Sequence, residues 1–168
     1  MSAGVTLRPA TRADVPAILE LIRGLAEYER LADECVATEV ALAETLFGAR
    51  PQAEVVLALA DGTPAGFALF FSSYSTFLAR HGIYLEDLFV RPEFRGRGIG
   101  KTLLAHLAAL ALERGCGRLE WSVLDWNADA IRFYKSLDAK ALDEWTVYRV
   151  TGDALNTLSM SSRAERGI

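Results

Sequence analysis

Six residues, Arg95-Gly96-Arg97-Gly98-Ile99-Gly100, lie between an apolar run that ends at Val90 and a strongly helical run that begins near Lys101. Alternate glycines at a strand-to-helix turn make an anion cradle. Glycine reaches positive φ and lets the backbone come close to a ligand, and the first amides of the helix have no internal partners. Phosphate oxygens can take those amides, helped by the helix dipole and by the charges of Arg95 and Arg97. Just upstream, Ile83-Tyr84-Leu85-Glu86-Asp87-Leu88-Phe89-Val90 is an apolar strand interrupted by carboxylates. Simple alternation puts Glu86 on one face with Tyr84 and Leu88, opposite Leu85, Asp87 and Phe89. A carboxylate set among apolar side chains has its pKa raised, which suits a general base, and Glu86 is the leading candidate. The plainer alternative is that Glu86 or Asp87 pairs with an arginine.

The surrounding elements must position these groups. Residues 5–8 form a short strand, and a helix that Asp14 can cap follows, with Val15, Ile18, Ile22 and Leu25 on one face as far as Tyr28. A second helix is predicted after Thr38, burying Leu42 and Leu46 and stopping at Gly48. Two strands, 53–60 and 65–74, flank Asp61-Gly62-Thr63-Pro64, whose composition favours an antiparallel hairpin. After the strand at 83–90 and the glycine turn, Leu103, Leu104, Leu107, Leu110 and Ala111 recur at helical spacing up to Gly115. A strand at 119–124 follows, then a helix capped by Asn127 that carries Ile131, Phe133 and Tyr134, and a last strand at 145–150. Residues 153–158 make one helical turn, and the polar tail 159–168 is predicted to fray. The expectation is one α/β domain over residues 5–158, built on a mixed, largely antiparallel sheet flanked by helices.

Composition narrows the partners. The chain has 168 residues, 51% of them apolar, and a net charge of −4, which suits a globular domain and argues against a general nucleic-acid binder. No apolar stretch reaches the roughly 20 residues that span a bilayer, and no signal-peptide pattern opens the chain. The expectation is a soluble cytoplasmic protein that neither binds nucleic acid nor enters a membrane. Cys35 and Cys116, far apart in sequence, and His81 and His106 form no metal-ligand pattern, so no metal is expected.

A P-loop needs glycine where Arg95 stands, and a Rossmann turn needs its third glycine at Lys101 and a place at the first strand of a βαβ unit. Neither fits. The run Arg95-Gly96-x-Gly98-x-Gly100, preceded by Leu88-Phe89-Val90-x-Pro92, resembles the acetyl-coenzyme A motif of the GNAT superfamily of N-acetyltransferases. The resemblance extends through Trp126-Asn127 and Phe133-Tyr134 and covers roughly residues 5–150. Arg8-Pro9-Ala10-Thr11, Leu25-Ala26-x-Tyr28-Glu29, Gly66-Phe67-Ala68 and Tyr84-Leu85-Glu86-Asp87-x-Phe89-Val90 look like the spermidine/spermine (diamine) branch. That branch is cytoplasmic and homodimeric, so the resemblance implies a homodimer.

The resemblance implies acetyl transfer from acetyl-CoA to a primary amine, directly within a ternary complex. Leu88, Phe89, Val90, the cradle Arg95, Gly96, Arg97, Gly98, Ile99, Gly100 and Lys101, together with Asn127 and Ala130, would hold the cofactor. Tyr134 would give a proton to the departing thiolate, and Glu86 would serve on the substrate side. Tyr28 and Glu29 match the amine-binding pair. Glu120, Trp121 and Ser122 replace a less acidic stretch of the diamine enzymes and bear on which amine is taken. Asp138 stands where the family has glycine after the Tyr134 helix and is expected to adopt the left-handed cap. A diamine, a polyamine or an amino acid with a side-chain amine is the expected acceptor. A protein or peptide amine, or a coenzyme A-binding regulatory module without turnover, is the alternative.

Overall fold

The computed structural model describes residues 4–164, which fall into two compact units, the first ending at Asp125 and the second beginning at Trp126. The first unit is built on a five-stranded sheet in the order β1 (Val5–Pro9), β2 (Glu54–Ala60), β3 (Thr63–Ser75), β4 (Arg80–Val90) and β5 (Leu119–Trp121). Successive strands are antiparallel except β4 and β5, which are parallel and pair only from Ile83↔Leu119 to Leu85↔Trp121. The β2–β3 hairpin turns on Asp61 and Gly62, both at positive φ, as a two-residue turn matched to the strand twist requires.

Three helices cover this sheet. The apolar stripe of α1 (Val15–Tyr28) and Leu46 of α2 (Glu39–Phe47) pack on one face, where Ile18, Leu21, Leu25, Val55, Leu57, Phe67 and Phe89 form the core. The α2 start is fixed by Thr38, whose hydroxyl accepts the Ala41 amide at 3.2 Å. Buried Ile99, Leu103, Leu104, Leu107 and Ala111 of α3 (Ile99–Glu113) serve the opposite face, which carries Val56, Ala58, Ala68, Phe70, Ile83 and Leu85. Each leucine, isoleucine, valine or phenylalanine among them, taken fully out of water, contributes roughly 1.5–3 kcal/mol. The second unit contains α4 (Ala128–Lys135) and α5 (Gly152–Ala164).

Four expectations change. Asp14 does not cap α1. It closes a capping box with Thr11 on the preceding 3-10 turn (Arg12–Asp14) and holds Arg8 in a two-pronged ion pair at 2.7 and 2.8 Å. The strand predicted at 145–150 pairs with no strand among the described residues, and Trp145, Val147 and Tyr148 are exposed. Alternating β-branched and aromatic residues express a propensity, which becomes a strand only with an edge to pair. The strand predicted at 119–124 ends at Trp121, because the chain leaves β4 there. Residues 152–164 form a full helix where one turn and a frayed tail were expected, with Asp153 favourably placed in its first turn. The rest of that tail, 165–168, lies outside the described residues.

Candidate active site

The β3–β4 register slips between Leu69 and Phe70, so Leu69 faces Asp87 while Phe70 faces Leu85, and Glu86 is the extra residue of a β-bulge. A bulge resets alternation. Phe67, Leu69 and Phe71 share one face of β3, and their partners Phe89, Asp87 and Tyr84 therefore share the α1 face of β4. Leu88 goes to the other side. This corrects the reading from simple alternation, which set Asp87 opposite Tyr84. Glu86 is also exposed and not enclosed by apolar neighbours, so the premise for it as a desolvated base fails.

The carboxyl that burial perturbs is Asp87. Loss of solvent pushes its pKa up to about 6, and the negative charges of Glu86 and Glu29 add to the effect. Glu29, at the end of α1, is itself pushed up by burial. Three predicted or neighbouring carboxylates thus converge on one spot with no basic partner for Asp87 among the hydrogen bonds and ion pairs of the described residues. Such a cluster is suited to a cation.

The end of α1 comes down on β4 at Gly24, where an added Cβ would lie 2.8 Å from the Phe89 ring. Phe89 is therefore a core side chain, and only its backbone can meet a ligand. Beyond Leu85 the β5-facing side of β4 is free of ladder pairing to β5, which leaves backbone groups of Asp87 to Val90 along an open edge. Val90 O accepts from Arg95 Nε at 3.0 Å. The Arg95 guanidinium lies 4.9 Å from the centre of the Tyr28 ring and 5.6 Å from that of Phe89. The structure thus brings predicted Tyr28 against the first residue of the glycine turn.

In that turn Gly96 and Gly98 both have φ of 76°, and Gly98 is the left-handed N-cap of α3. Nothing lies within 4 Å of a Cβ built on Gly96, Gly98 or Gly100. No side chain caps the helix, and the Gly98 carbonyl takes both the amide and the hydroxyl of Thr102 at 3.0 Å. With no side-chain cap, the first amides of α3 are left for another acceptor, as an anion site requires. Arg97 lies over the Phe94 ring at 5.4 Å, and Lys101 is exposed.

Of the β5 residues, Glu120 is the neighbour of Tyr84, and Ser122 hydrogen-bonds the Tyr84 hydroxyl at 2.7 Å. Trp121 pairs with Leu85 and so belongs to the other face. Within the second unit, Asn127 accepts the Ala130 amide at 3.2 Å as the predicted cap of α4, and Tyr134 sits beside Phe133 with ring centres 5.6 Å apart. Asp138 has the expected left-handed φ of 60°, and Ala139 N closes the helix end on Tyr134 O at 3.2 Å. Sequence reasoning singled out neither Asp87 as the carboxyl that burial perturbs nor Tyr84 and Arg118, which adjoin predicted Ser122 and Glu120. Two adjacent acids in an apolar strand were the available sign of a bulge.

Comparison with known proteins bears on this geometry. A profile described as "Acetyltransferase (GNAT) family" matches residues 20–138. The thialysine N-epsilon-acetyltransferase of Bos taurus is 42% identical, the match covering 94% of this chain and 98% of that protein. The L-ornithine N5-acetyltransferase NATA1 of Arabidopsis thaliana is 37% identical, with 90% and 86% covered. Among solved structures, an integron cassette protein from the mobile metagenome of V. cholerae superposes with a TM-score of 0.79 at 29% identity, covering 94% of this chain and 99% of that one.

Proposed function

The chain belongs to the GNAT acetyltransferase family and is an N-acetyltransferase of amines, and from that premise we propose that it moves the acetyl group of acetyl-CoA directly to a small primary amine. The observation that carries the acceptor half is the half-buried Asp87, beside Glu86 and Glu29 and with no basic partner among the described residues. Relatives named for ornithine and thialysine support an acceptor with a side-chain amine, and the diamine resemblance adds diamines and polyamines to that class.

When bound, acetyl-CoA supplies an acetyl group activated as a thioester. The cradle fits its pyrophosphate, because the space around Gly96, Gly98 and Gly100 is open and no side chain caps the first amides of α3. Arg97, Ile99 and Lys101 complete that turn, and the backbone of Leu88, Phe89 and Val90 offers partners to the pantetheine arm. On the substrate side, Asp87 is ionised above about pH 6 and attracts the acceptor's ammonium. Only the uncharged amine can attack a carbonyl, so the ammonium proton must leave first. Asp87 takes it, and exposed Glu86 is placed to pass it to water. Tyr28 and Glu29 border the entry. Asn127, Ala130 and Tyr134 act on the cofactor, with Tyr134 donating to the sulfur. Thioester-to-amine transfer in a ternary complex calls on no metal.

On the diamine resemblance, residues 5–158 act as one domain in a cytoplasmic homodimer, which sedimentation at micromolar concentration checks. Coenzyme A release measured with putrescine, spermidine, ornithine, lysine and a lysine peptide tests the function. Turnover of the free amines is expected; turnover of the peptide alone, or of none, overturns it. Gly98→Val should abolish coenzyme A binding, since a β-branched residue at that φ fills the cradle.

A further inference from the structure

Beyond the carboxylate cluster, the α1 face of β4 and β5 continues into a polar strip whose charges balance. Arg118 Nε and Glu120 Oε2 form an ion pair at 3.0 Å. Glu120 lies beside Tyr84 in the parallel ladder, and the Tyr84 hydroxyl meets Ser122 Oγ at 2.7 Å. Phe71 backs Tyr84, with ring centres 5.3 Å apart. The Arg118 stem crosses Gly82, where an added Cβ would lie 3.2 Å from Arg118 Cγ and 2.9 Å from Ser73 Oγ. That serine oxygen is buried and makes no hydrogen bond with the described residues. Glu120 meets the guanidinium at Nε, and a guanidinium carries five N–H donors, more than one carboxylate uses.

Tyr84 stands two ladder rungs from Asp87 on the same face, about 7 Å along the strand. An extended side chain of lysine or ornithine length bridges that separation. Its amine would meet the purely acidic cluster, and its other end would meet a cation and an anion side by side. An ion pair is complementary to a zwitterion. A linear polyamine would instead bring a second positive charge against Arg118.

Resting on the reading of the chain as a small-amine acetyltransferase, we infer that Arg118 and Glu120, with the Tyr84–Ser122 hydroxyl pair, determine specificity by binding the α-carboxylate and α-ammonium of an amino-acid acceptor. Arg118 holds the carboxylate, Glu120 holds the ammonium, and the two hydroxyls fix the edge of the strip.

Matched acceptors test this directly, because ornithine and putrescine, and lysine and cadaverine, differ only in the carboxylate. Steady-state coenzyme A release should give the amino acid of each pair a kcat/KM at least about tenfold higher, the scale of one charge-assisted contact. Arg118→Gln should remove that preference, raising KM for the amino acids while kcat/KM for the diamines rises as the repelling charge is lost, and Arg118→Lys should restore part of it. Diamines used as well as or better than the amino acids, or an equal loss on both members in Arg118→Gln, overturns the inference and leaves the function standing. Turnover of none of the four overturns both.

Discussion

Asp14 and Asp87 are both largely withdrawn from solvent, and their surroundings drive them in opposite directions. Asp14 accepts two hydrogen bonds from Arg8 and one from the Thr11 amide, and the Arg8 guanidinium holds its carboxyl well below the usual carboxylate range. Asp87 has no basic partner among the described residues, and burial with the charges of Glu86 and Glu29 pushes it up to about 6. The first site satisfies its charge from within the fold and ties β1 to the start of α1. The second leaves its charge uncompensated, at a cost in stability. A carboxylate completed within the fold has a structural task, and one left uncompensated has room for an outside cation, as the proposed acceptor site requires.

Replacing the stranded group should have the largest effect. Asp87→Asn keeps the shape and removes both the attraction for ammonium and the base, so kcat/KM should fall by about 10²–10⁴ at pH 8. The acid limb of the parent's pH profile, expected near the Asp87 pKa of about 6, should vanish with it. Full activity in that variant would break the contrast between the two sites.

The same substitution should make the protein more stable. Well below pH 4 Asp87 is neutral in folded and unfolded chains alike, and its buried form costs nothing extra. As pH rises from about 4 to 6 the unfolded chain releases the proton and the folded one retains it, so stability falls through that window. Above it the parent has lost about 2–3 kcal/mol that Asp87→Asn keeps. Urea unfolding of both proteins at pH 4 and pH 8 checks this. An equal gap at both values would show that burial does not strain Asp87.

Asp14 should behave in reverse. Asp14→Ala removes the cap and strands Arg8, costing about 1–2 kcal/mol, a fall in Tm of several degrees. The loss should shrink in acid, because a carboxyl held low contributes its stability above the ordinary carboxylate pKa and loses it as pH falls through the depressed one. Turnover per folded molecule should be unchanged, and a fall in kcat would join the two regions that the comparison separates.

Much of this was legible before any coordinates. Asp61-Gly62 marked the hairpin, Thr38 and Asn127 marked helix starts, and the spaced glycines marked the cradle, because turns, caps and positive φ depend on local chemistry. What local chemistry could not show was register. Period-two alternation puts Glu86 on the face of Tyr84, and one bulge residue puts Asp87 there instead and sends Leu88 to the other side. The same limit explains residues 145–150, whose propensity says strand while no described edge receives them. The polar strip had a partial sign in Glu120 and Ser122. Arg118 entered only when the parallel ladder put its ion pair beside Tyr84.

The smallest expected effect separates charge from burial as the origin of the Asp87 shift. Burial is the larger cause and Glu29 a lesser one, acting through its negative charge. Glu29→Gln removes that charge and keeps the volume, so the acid limb of kcat/KM, which reports the free enzyme, should move to lower pH. At pH 8 Asp87 is already ionised in both proteins, and kcat should change by less than about twofold. Glu29→Lys would place beside Asp87 the kind of partner that Arg8 gives Asp14. The limb should then move further in the same direction, while KM for a cationic acceptor rises because the uncompensated charge is now met from within. A limb that stays put in both variants would make burial the whole cause and would assign Glu29 to substrate contact alone.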